Sequence, residues 1–80
     1  MKLPRDISGL DLAKTLGRYG YQITRQTGSH LRLSTQRGGE HHITIPAHKI
    51  LRVGTLGAIV AEVALYLKRD KAEVIDELWG

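Results

Sequence analysis

The sequence has no cysteine, only two prolines and no long apolar run. Without cysteine there is no disulfide, no thiolate metal site and no cysteine nucleophile, an absence that fits a reducing cytoplasm. No apolar stretch approaches the ~20 residues that cross a bilayer. The segment from Met1 to Asp11 is charged and interrupted by Pro4, unlike a signal peptide, so the expected location is cytoplasmic. There are no repeats, no low-complexity stretch and no interdomain linker. The 80 residues are therefore read as one domain, 1-80. A domain this size buries only about 60% of its unfolded surface. A surface or shallow-groove site is expected, with no large cofactor held in a deep cavity.

Acidic residues are scarce in the first two thirds. Residues 1–55 carry nine Lys or Arg against three Asp or Glu, a net +6, while residues 56–80 carry three against five, a net −2. The basic part holds the expected strands and loops. Such a surface attracts polyanions, nucleic acid above all, although a merely solvated basic face has the same composition.

Ser8 suits a helix N-cap, and Asp11 three residues on resembles a capping box. Ile7 and Leu12 can form a hydrophobic staple across that cap. Leu10, Ala13 and Leu16, flanked by Leu12 and Tyr19, give an apolar helical stripe. Gly20 supplies the stop. Gly17 inside the helix suggests a close approach to a sheet. Three strands follow, Tyr21 to Gln26, His30 to Ser34 and His41 to Ile45. Turns at Thr27-Gly28-Ser29 and at Gln36 to Glu40 separate them. Alternation places Leu31, Leu33, Ile43 and Ile45 inward and His30, Arg32, Ser34, His42 and Thr44 outward. Pro46 ends the third strand, and short turns favour an antiparallel meander.

After a loop from Ala47 to Gly54, Thr55 can cap a second helix running to about Lys68. Asp70 with Glu73 forms another capping box and opens a short third helix through Trp79. The expectation is an α+β fold of αβββα order, similar to the double-stranded-RNA-binding fold. It has a three-stranded antiparallel sheet, helices on one face and a short additional C-terminal helix.

Two groups of residues can carry chemistry. In Gly28-Ser29-His30, glycine permits a tight turn, and serine can hydrogen-bond a phosphate through its hydroxyl or N–H. Histidine can accept or donate a proton in phosphodiester cleavage. In RNA the attacking group can be the substrate's own 2′-OH, so the chemistry needs a base, an acid and charge stabilisation but no metal. Arg25, Arg32 and Lys49 can supply the positive charge. A polar turn leading into a strand has the same residues. The second group is Thr44-Ile45-Pro46-Ala47-His48 followed by Gly54-Thr55-Leu56. Here the helix start at Thr55 offers free N–H groups to phosphate, or simply a cap.

These groups, in this order and spacing, resemble the HicA toxin family. The resemblance runs from the first helix through Gly54-Thr55-Leu56-Gly57-Ala58-Ile59. It implies an mRNA-cleaving toxin (mRNA interferase) of a type II toxin–antitoxin system, neutralised by a HicB-type antitoxin, with a single catalytic histidine at His30. The expected RNA-binding residues are Gly28, Ser29, Arg25, Arg32, Lys49, Arg52 and Thr55, with His42 and His48 as accessory candidates. Oligomers are expected only through the antitoxin or by weak self-association.

The longer acidic C-terminal part, Glu62 to Gly80, departs from the common family length. Trp79 can pack on its own domain or meet a partner. His41, His42 and His48 match no standard zinc spacing, and strand alternation turns His41 and His42 to opposite faces; no metal is expected. Tyr19, Tyr21 and Tyr66 read as core and boundary residues. Three functional readings stand at this point: a metal-independent endoribonuclease, a non-catalytic double-stranded-RNA-binding module, and, compatible with the first, an interaction protein seen mainly as half of a toxin–antitoxin complex.

Overall fold

The structure, a computed structural model, describes residues 3–80; the reading of Met1 and Lys2 lies outside the described residues. The chain forms two compact units, Asp6–Leu51 and residues 3–5 with Arg52–Gly80.

In the first unit, helix α1 spans Gly9–Leu16 and passes into a 3-10 turn, Gly17–Tyr19. Its start follows the capping signal: the Asp11 N–H donates to the Ser8 hydroxyl at 3.0 Å. Gly20 ends the element at φ 87°, the left-handed conformation expected of it. The buried stripe is Leu12, Ala13, Leu16 and Tyr19, whereas Leu10, expected inside, is 47% exposed. Leu12, expected to flank the stripe, takes the core position instead. The close approach expected at Gly17 is absent, since a Cβ there would meet nothing within 4 Å.

The close approach is at Gly9 instead. A Cβ on Gly9 would run into the backbone carbonyl of Pro46 and contact Ala47. The Gly9 N–H donates to the His48 carbonyl at 2.9 Å. Only a residue without a side chain lets α1 start against the end of the sheet in this way. Gly9→Ala is therefore expected to cost about 1–3 kcal/mol through overpacking against rigid backbone. Thermal unfolding should show it as a fall in Tm of at least about 4 °C for a domain of this size. An unchanged Tm would contradict the contact.

The sheet has three antiparallel strands in the order β1-β2-β3: β1 Gln22–Thr27, β2 His30–Thr35 and β3 His41–Pro46. Strand limits differ from the sequence reading by one residue at some ends, because hydrogen-bond pairing sets them; Tyr21 lies just before β1 and Pro46 is the last residue of β3. Leu31, Leu33, Ile43 and Ile45 are buried, and α1 lies against all three strands. The alternation expected for β2 and β3 is present. On β1 it is lost: all six residues are exposed, and the register shifts between Ile23 and Arg25. Ile23 pairs with Leu33 on the inner face yet is 42% exposed, whereas Ile43 and Ile45 on the other edge strand, β3, are buried. Thr35, the buried polar residue of the core, is satisfied. Its hydroxyl donates to the Tyr19 carbonyl at 3.1 Å and accepts from the Arg37 N–H at 3.3 Å.

In the second unit, α2 spans Val53–Leu67 and α3 spans Lys71–Trp79, and the two helices contact each other. Thr55 does not cap α2. The helix starts three residues earlier, with Arg52 at the N-cap and the Leu56 N–H donating to the Arg52 carbonyl at 2.9 Å. Arg52 makes no capping side-chain bond, so burial of Leu56, Ile59, Val60, Val63 and Ala64 holds the helix rather than a cap. The Asp70–Glu73 capping box forms as expected, and Arg69 pairs with Glu77 at 2.7 Å. Trp79 is half-buried. No helix among the described residues is long and apolar enough to cross a membrane.

Candidate functional site

Gly28 and Ser29 are the two loop residues of the β1–β2 hairpin, since Thr27 pairs with His30. Gly28 has φ 53° and open space where a Cβ would stand. Glycine is required there by the backbone and not by a neighbour, as in a two-residue hairpin turn with a positive φ at its first position. The turn is tied to the chain leaving β3: the Ala47 N–H donates to the Ser29 carbonyl at 2.7 Å.

His30 starts β2, opposite Thr27 on one side and Pro46 on the other. It is exposed, and no hydrogen bond holds its imidazole among the described residues. Arg32 follows two residues on along the same face, and its cross-strand partner is Arg25. Like charges set directly opposite on one face of a sheet repel. Both arginines are exposed, and neither is paired with a carboxylate among the described residues. An anion between them would remove the repulsion. The register shift beside Arg25 belongs to the same feature, because a bulge re-aims the side chains next to it.

His48 and Lys49 lie just beyond Pro46, the residue opposite His30. With Ser8, Leu10, Gln26, Leu31 and Ala47 they line a cleft of about 300 Å³ at this end of the sheet. Arg25, Gly28, Ser29, His30, Arg32, His48 and Lys49 thus belong to one unit and one end of one sheet. Arg52 and Thr55 belong to the other unit.

His42 is on the outer face but at the opposite end of β2, across from Ser34. Four residues of strand separate Ser34 from His30, about 13 Å at ~3.3 Å per residue. His42 and His30 cannot share one phosphate at that separation. The His42 ring is occupied from both sides, with Nδ1 at 2.5 Å from the Ser34 hydroxyl and Nε2 at 2.7 Å from Glu40. His41 turns the other way, its Nδ1 2.7 Å from the Tyr21 hydroxyl and the two rings edge to face. These two histidines support the sheet from its two faces.

Sequence reasoning did not find Gln26, Leu10 and Ser8 as cleft residues. Their meeting depends on the packing of α1 over the end of the sheet, which no local motif encodes.

No curated protein and no solved structure matches the chain. The family model described as HicA toxin of bacterial toxin-antitoxin matches residues 9–68, from the first residue of α1 to the residue that ends α2, with α3 beyond it. The chain belongs to the HicA toxin family of bacterial toxin–antitoxin systems.

Proposed function

We propose that this toxin is a metal-independent endoribonuclease that cleaves mRNA in the cytoplasm, with His30 as its catalytic group. The observation that carries the reading is an exposed, unpaired imidazole at the end of a strand, beside a cross-strand pair of arginines. His30 takes the proton from a ribose 2′-OH, whose oxygen attacks the adjacent phosphorus. The bond from phosphorus to the 5′-oxygen breaks, and that oxygen takes a proton as it leaves. The products are a 2′,3′-cyclic phosphate and a 5′-hydroxyl end. His48 is the nearer of the two accessory histidines to this end of the sheet and serves as the acid. Arg25, Arg32 and Lys49 carry the charge developing on the phosphoryl oxygens. The Ser29 side chain and the Gly28–Ser29 turn hold the neighbouring phosphate. Arg52 and Thr55, which belong to the second unit, are proposed as RNA contacts of that unit.

The test is end-group analysis of RNA treated with purified, antitoxin-free protein in excess EDTA. New 5′-hydroxyl and 2′,3′-cyclic phosphate ends support the mechanism. Cleavage that EDTA abolishes, or that leaves 5′-phosphates, overturns it. Salt-sensitive RNA binding with no cleavage would make the protein an RNA-binding module instead.

A HicB-type antitoxin is the proposed partner. It would silence the toxin by covering His30 and the basic face, presenting acidic groups there, which speeds association.

The arginine pair gives a test with two opposed readouts. Arg25→Gln is expected to raise stability by about 0.2–1 kcal/mol, because it removes a cross-strand repulsion. The same change weakens RNA binding across sequences and lowers the salt dependence of binding by about one ion per site. Urea unfolding and salt titrations of RNA affinity would read the two effects. A variant that loses stability and keeps its RNA affinity would show that the pair is structural.

A further inference from the structure

We propose that the cleft lined by Ser8, Leu10, Gln26, Leu31, Ala47, His48 and Lys49 is a nucleobase subsite that sets the cleavage preference of the enzyme. The inference rests on the ribonuclease reading above and names the part of the substrate that its site selects. At about 300 Å³ the cleft is at the lower end of the range for small-molecule sites. It has room for one flat ring system and little more. Leu10 and Ala47 offer apolar surface to the faces of a ring, over a floor at the buried Leu31. Gln26 and Ser8 offer donors and acceptors to its edge, and His48 and Lys49 line the same cleft beside them, where the phosphate chemistry uses them. Leu10 is 47% exposed, a large apolar side chain left in water at the rim, and a stacked base would cover it.

Position joins the cleft to the chemistry. Gln26 pairs with Leu31, next to the Thr27–His30 pair. Thr27 lies one strand spacing from His30, about 4.8 Å. β1 is an edge strand, so only the backbone at Gln26 and Thr27 separates the outer face at His30 from the cleft behind it. A phosphate held at His30 therefore leaves the adjoining base within reach of the cleft. The bond from the Ala47 N–H to the Ser29 carbonyl fixes the cleft wall to the hairpin that carries His30. Base-edge hydrogen bonding in such a pocket discriminates strongly, because the wrong base leaves polar groups unpaired.

The experiment uses the full chain and has two arms. In the first, isotope-labelled His30→Ala protein is titrated with each of the four ribonucleoside 3′-monophosphates and with inorganic phosphate, followed by NMR. Saturable shifts at Gln26, Leu10 and Ala47 are expected, absent with phosphate, with binding at least about fivefold tighter for one base than for the weakest. In the second, wild type and Gln26→Leu are compared on RNA oligonucleotides that differ only in the base beside the cleaved bond. Gln26→Leu is expected to change the ratio of kcat/KM between best and worst base by at least about fivefold. Shifts that are the same for all four nucleotides, or an equal loss of rate on every oligonucleotide, overturn the subsite. Base-dependent shifts in a protein that cleaves no RNA would leave the subsite standing and remove the ribonuclease. Cleavage with base-independent shifts would do the reverse.

Discussion

His30→Ala is expected to reduce RNA cleavage by about 10²–10⁴-fold, the range for removal of a general acid or base. That is about 3–5 kcal/mol of transition-state stabilisation at 1.36 kcal/mol per tenfold. Stability should change by no more than about 0.5 kcal/mol, because an exposed side chain without a partner among the described residues supports nothing else. RNA affinity should change little, since the arginines and Lys49 remain to meet phosphate. Expressed without antitoxin, the wild type should arrest growth and degrade transcripts, and the soluble variant should do neither. The combination is what discriminates. A folded variant that binds RNA but does not cut it places His30 in the chemical step. A folded variant that still cuts removes His30 from the mechanism, and a base would have to be sought among the cleft residues. His48→Ala should also slow cleavage, because the 5′-oxygen would then have to leave without a positioned proton donor.

The parts of this fold that were legible in the sequence are those written in local chemistry. Alternation along His30 to Ser34 and His41 to Ile45 gave the inner and outer faces of two strands. Ser8 marked the start of α1, and Asp70 with Glu73 marked the start of α3. Each is a side chain bonding backbone three residues away. What was not legible depends on partners distant in sequence. The α2 start could not be read from a cap, since Arg52 makes no capping bond. Val53 and Gly54 are helical because apolar residues further on are buried. Thr24 to Thr27 has no alternation to read, so the bulge before Arg25 shows only in the register. Gly9 looks like any first helical residue until Pro46 is beside it. The candidate site divides the same way. Gly28, Ser29 and His30 stand together as a turn and a strand start. The opposition of Arg25 to Arg32, and the cleft that joins Leu10 to Gln26, require the sheet and helix to be assembled first.

The inner face of that sheet makes the second large prediction. Leu33 sits on the central strand, fully buried, paired with Ile23 on one side and Ile43 on the other. Leu33→Ala removes buried methyl groups and leaves a cavity that neighbours on both strands cannot close, at a cost of about 2–5 kcal/mol. Native domains are stable by only about 5–15 kcal/mol, small ones near the lower limit, so this single change should bring the protein close to unfolding. At about 4–8 °C per kcal/mol the Tm should fall by about 8 °C or more. Ile23→Ala on the same face is the control. Ile23 is 42% exposed at the edge, so much less of its side chain leaves water on folding, and it should cost under about 1.5 kcal/mol. Thermal and urea unfolding of both variants would read the difference. Equal costs would mean that β1 covers the central strand as fully as β3 does, against the exposure of all six of its residues. Unequal costs would confirm that the edge at β1 is open, and an open edge beside Gln26 and Thr27 is what gives an RNA strand at His30 access to the cleft.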